Sequence, residues 1–160
     1  MKQDIPNPHV RDFQRKKLYA AEESCSFWPD WIVELTEENA RAYINSISTM
    51  YKIKEPTLYT EDITTPHGIR QRISKQNGDM LRLMAYATPT YVAIPSNLLS
   101  KLPYIVHEMS HVINYQLGPT DHHGPNFASI YLKVLSNYVG SKESKELQDA
   151  FDLHKVKYNV

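Results

Sequence analysis

Apolar residues recur along the chain at two spacings, and the alternation between them separates a helical front, a strand-rich middle and a helical back half. The run RDFQRKKLYAAEES, from Arg11 to about Ser24, sets Phe13, Leu18 and Ala21 at mixed helical spacings among good helix formers, which predicts a first helix. Residues 1–10, ahead of it, are expected to be flexible. Phe27, Trp28 and Trp31 gather around Pro29 as an aromatic knot suited to core packing, and Ile32-Val33-Glu34-Leu35 alternates like a short strand. Thr36 followed by Glu37 and Glu38 reads as an N-cap with an acidic first turn. It opens an amphipathic helix through Ala40, Tyr43, Ile44, Ile47 and Met50.

Between Pro56 and Pro95 the period shortens. Residues 57–59, 68–74, 80–86 and 91–94 read as short strands, with Asn77-Gly78 as the tight turn of a hairpin between the second and third. Helical spacing returns over about 96–117, about 125–139 and, after the Gly140-Ser141 break, 142 to about 155. The order of elements predicts an α+β fold, a short and mostly antiparallel sheet covered by a helical layer.

Composition narrows this to one soluble domain. A chain of 160 residues with 41% hydrophobic and 22% charged residues can bury a core of its own, and no linker or repeat divides it. Lys plus Arg (18) balance Asp plus Glu (18), so no net field draws the protein to nucleic acid or an anionic membrane. The first residues lack the apolar stretch of a signal peptide and no segment has membrane-spanning length, so the expected location is the cytoplasm. The single cysteine, Cys25, excludes an intrachain disulfide and any cysteine-built zinc ribbon, and reads as a small buried hydrophobe. A metal site must then come from carboxylates and the seven histidines.

Those histidines are not scattered evenly. His107-Glu108-Met109-Ser110-His111 is an HExxH sequence inside a helical pattern. Residues four apart in a helix lie nearly above one another, so His107 and His111 can each give a ring nitrogen to one ion. Catalytic zinc takes three protein ligands and keeps a place for a water, and Glu108 is the carboxylate placed as general base. Leu102 to Val106 and Met109 to Gln116 contain no charged residue apart from His111 itself, as a buried helix requires. Gly118-Pro119 ends that helix, and Asp121-His122-His123-Gly124-Pro125-Asn126-Phe127 follows. His123 is the expected third ligand, His122 its main competitor and Asp121 a weaker one. His122 or Asp121 could instead orient a ligand. Pro125 suits the first position of the next helix, and Phe127 is expected to point into the core.

HExxH with a downstream His-Gly-x-x-Phe, here His107 to His111 and His123 to Phe127, resembles the SprT-like branch of the zincin metallopeptidases. The matching stretch runs from Leu102 to Val139. A second, looser one is RDFQRKKLYAAEES, which is similar to the start of a group of uncharacterised bacterial and phage-type metallohydrolases with the same motif. The resemblance implies a zincin-like fold, one zinc held by His107, His111 and His123, catalysis by Glu108, and a protein or peptide substrate. SprT-like proteins that cut DNA-crosslinked proteins often add a zinc ribbon or a DNA-binding tail. This sequence shows neither, so nucleic acid is not indicated. Two rivals share the motif: hydrolysis of a cell-wall crossbridge or another amide, and a non-catalytic domain in which zinc only supports the fold.

Other residues read as structure. His9, His67 and His154 stand alone in polar surroundings, and Arg70, Arg72 and Lys75 form a small basic run that could touch phosphate but is better explained as a solvated face. Tyr115 and Tyr131 fall near the site and could steady an oxyanion, although packing explains them better. The strand over 91–94 is the best candidate edge for holding an extended peptide, and it reads equally well as an ordinary core strand.

Overall fold

A computed structural model describes residues 12–28, 35–60, 72–76, 80–94, 96–99 and 101–159, with the backbone alone described over 72–76, 80–84 and 96–97. Residues 1–10, expected to be flexible, Pro29, Trp31, all but the last residue of the strand expected over 32–35, the Asn77-Gly78 turn, His9, His67 and Arg70 lie outside the described residues, as do the side chains of Arg72 and Lys75.

The fold is α+β. Helix α1 (Arg15–Ser24) buries Leu18, Ala21 and Glu22. The helix starts later than the expected Arg11, and Phe13 precedes it in a turn, 48% exposed. Helix α2 (Glu37–Tyr51) starts as the sequence predicts, with Thr36 Oγ1 accepting from the Asn39 amide at 3.1 Å. Its inward stripe is Ala40, Ile44, Ile47 and Ser48, and Met50 faces out.

Strands β1 (Thr57–Tyr59), β4 (Tyr86–Ala87) and β5 (Tyr91–Ala93) make a sheet of order β1-β5-β4, while β2 (Arg72–Gln76) and β3 (Met80–Met84) pair antiparallel as a separate ribbon. The three-stranded sheet is mixed. β4 runs antiparallel to β5, but β1 runs parallel to it, Leu58 opposite Val92, because the long stretch between them lets the chain cross over before it returns. β5 is therefore the central strand, buried throughout, which agrees with the core-strand reading and not with the edge for peptide binding.

The long helix expected over 96–117 is two: α3 (Ser96–Leu99) and α4 (Leu102–Leu117). Proline has no N–H to donate and is tolerated only in a first turn, so Pro103 makes the helix start afresh. α4 then buries every residue from 102 to 114 except Tyr104, lying between β4 and β5 on one side and α5 (Pro125–Tyr138) on another, with α2 also against it. α5 packs on α6 (Ser141–Leu153), and α6 on α1. The core gathers around α4, with Ile105, Val106, Met109 and Val112 in one buried cluster with Phe127, Val134 and Leu135 of α5 and Leu147 and Phe151 of α6.

Candidate metal centre

Helical spacing sets His107 and His111 one turn apart on α4, their rings 5.1 Å between centroids. The third histidine arrives by a loop. Thr120 and His122 adopt positive φ, 55° and 57°, which curls the chain so that His123 faces the helix. Gly124 has to be glycine there, since an added Cβ would lie 2.6 Å from Asp121 Oδ2. One ligand atom from each of His107, His111 and His123 lies within 4.8 Å of the others, a group that could hold a metal ion. All three are buried. His122 is not in that group, and Asp121 serves the loop: its carboxylate accepts from Asn114 Nδ2 and from the Asn126 and Phe127 amides, capping α5.

Which nitrogens face the centre follows from what holds the others. His107 Nδ1 is 2.6 Å from Glu22 Oε2, and His123 Nδ1 is 2.8 Å from Asp12 Oδ2. Each carboxylate accepts, so each Nδ1 carries the proton and Nε2 is left with its lone pair. His111 Nε2 and His123 Nε2 stand 3.1 Å apart, close to the roughly 3.3 Å between two nitrogens that share a tetrahedral ion at about 2.0–2.1 Å. His111 Nδ1 is buried with no hydrogen-bond partner among the described residues. The donor set therefore fits a divalent cation that accepts imidazole.

The carboxylates are themselves held. Glu22 Oε2 also accepts from the Tyr131 hydroxyl at 2.6 Å, and Asp12 Oδ1 from the His123 amide at 3.2 Å. Gln14, before α1, donates from Nε2 to the His123 carbonyl at 2.8 Å. Apolar rings fill the remaining space: Phe127 stacks on His111 at 4.2 Å, and Tyr19 meets His123 edge-on at 5.0 Å.

Burial opposes a charge on every imidazole here. For His111 burial and then the neighbouring imidazoles His123 and His107 drive the pKa well below its ordinary value. Burial also lowers His123, against the pull of Asp12. In His107 burial is outweighed by Glu22, whose charge and hydrogen bond raise the pKa. Glu108, next to His107 on α4, is 6% exposed. Tyr115 stacks on His111 at 5.8 Å, and Tyr131 is committed to Glu22.

The contributions of Asp12, Gln14 and Glu22 were not anticipated. One signal bore on them, the resemblance of the RDFQRKKLYAAEES stretch to metallohydrolase N-termini, since that stretch contains all three. Compared with known proteins, the chain matches no family model, no curated protein and no solved structure.

Proposed function

We propose that the chain is a zinc-dependent metallopeptidase of zincin-like, SprT-like type, acting in the cytoplasm on a protein or peptide substrate with one zinc per chain. The observation that carries this reading is the buried cluster of His107, His111 and His123 with Glu108 beside it on α4. Among the described residues the cluster has three members, not four. That favours a catalytic site, which keeps a coordination position open, over a structural one, which closes with a fourth protein ligand.

When bound, zinc supplies Lewis acidity that polarises a carbonyl and makes water acidic near neutral pH. Glu108 takes the proton as a water oxygen attacks the peptide carbonyl carbon, then delivers it to the amide nitrogen as the C–N bond breaks. Asp12 and Glu22 keep the two Nδ1 protons in place, so the ligand nitrogens stay aimed at one point.

Elemental analysis and peptidase assays test the reading together. Wild type and His122→Ala should hold about one zinc per chain, and His123→Ala should lose it. Glu108→Gln should keep the zinc and lower kcat by about 10²–10⁴-fold. Turnover by Glu108→Gln at the wild-type rate would rule out the assigned base.

A further inference from the structure

Two of the three histidines of the cluster are held by one short piece of chain that is remote from both in sequence. Asp12, Gln14 and Glu22 span a single lead-in and helix, yet they touch His123 and His107 across 85 to 111 positions. Glu22 reaches His107 from the far end of α1, and Asp12 and Gln14 grip the side chain, amide and carbonyl of His123 from the near end.

Gln14 does something further. It is 1% exposed and every one of its side-chain polar atoms is used. Nε2 donates to the His123 carbonyl at 2.8 Å and to the Lys157 carbonyl at 2.9 Å, while Oε1 accepts from the Lys157 amide at 2.8 Å. The pair of bonds to Lys157 resembles one rung of a β-ladder made by a side chain. The C-terminal tail is tied down nearby: the Val156 amide donates to Phe151 O at 2.8 Å, the Tyr158 hydroxyl to Asp152 Oδ1 at 2.8 Å, and the Asn159 amide to Ser129 Oγ at 2.6 Å. Gln14 thus joins a fixed tail to the backbone of His123 through one amide group.

We infer that residues 12–22 form a clamp that sets how firmly the three-histidine site keeps its metal, and that Gln14 anchors this clamp on the C-terminal tail. The inference rests on the metal reading proposed above. Asp12, Gln14 and Glu22 are positioning residues: they act through the ligand histidines. A ligand whose orientation is fixed in advance loses less freedom on binding the ion, so loosening it weakens affinity by roughly 10–100-fold.

Zinc affinity of the full-length protein, measured by competition with a chromophoric chelator, tests the clamp without reference to peptidase activity. Asp12→Asn and Gln14→Met should each bind zinc about 10–100-fold more weakly, and the visible spectrum of the Co²⁺ form should shift. A chain ending at Val156 should follow Gln14→Met. Lys157→Ala should bind as wild type does, since Gln14 uses only the backbone of Lys157. Asp12→Asn, at a partly exposed site, keeps the test open should the buried Gln14 variant fold poorly. Wild-type affinity in Asp12→Asn, Gln14→Met and the shortened chain, with wild type itself holding one zinc, would overturn the clamp and leave the metal site standing. A wild-type protein that takes up no zinc would overturn both.

Discussion

Glu22 is a buried carboxylate with two donors on one oxygen, His107 Nδ1 and the Tyr131 hydroxyl, both at 2.6 Å. A buried charge is tolerated when such bonds replace its water, and each becomes costly to remove. Tyr131→Phe should therefore destabilise the protein by about 1–3 kcal/mol, read from denaturant unfolding. Cys25 shows the opposite case. Burial, then the charges of Glu146 and Glu22, push its thiol up to about 12, and it is 1% exposed with Sγ directed at the Ala21 carbonyl. Only the thiolate is nucleophilic, so at pH 8 the native protein should leave a thiol-disulfide reagent unconsumed, and denatured protein should react with one equivalent. The contrast between the histidines and their supports explains what could be read at this scale. His107 and His111 are legible because helical periodicity fixes their mutual geometry within five residues. Glu22 and Asp12 are not, because their pairing depends on how α1 docks, 85 and 111 positions away.

At the scale of elements, local signals worked where the chain itself contains the partner. Thr36 is an N-cap because its hydroxyl meets the amide of a residue three positions on, and Thr36→Ala should cost about 1 kcal/mol in stability by thermal or denaturant unfolding. The start of α5 at Pro125 and the full burial of Phe127 are likewise consequences of nearby residues. Pairing between distant strands left no comparable trace. The apolar run over 91–94 suits an edge or a centre equally well, and its central place comes from β1 returning parallel across a long connection. Pro103 was visible in the sequence, but whether a proline ends a helix or opens the next depends on the backbone in the two residues ahead of it. Here Lys101 is extended, so the helix restarts.

For the whole molecule, the decisive question is whether a metal held by the three histidines would build the fold or would find it already made. The core that surrounds α4 is apolar and continuous through α2, α5 and α6, with Ile44, Ile47, Phe127, Val134, Leu147 and Phe151 at most 1% exposed. Hydrophobic burial on that scale stabilises a chain of 160 residues without an ion, unlike a small zinc finger, which has almost no core. The metal-free protein should thus stay folded and melt cooperatively. On the proposed reading zinc would bind only the native arrangement of the three histidines, so free zinc at about 100 times its dissociation constant should add roughly 2.7 kcal/mol. For a domain of this size each kcal/mol moves Tm by about 2–4 °C, and chelation should lower it by about 5–10 °C. Calorimetry with and without chelator reads this directly. A metal-free form with no cooperative transition would mean that the ion builds the fold, and the reading of an open catalytic site on a preformed scaffold would have to yield to a structural one.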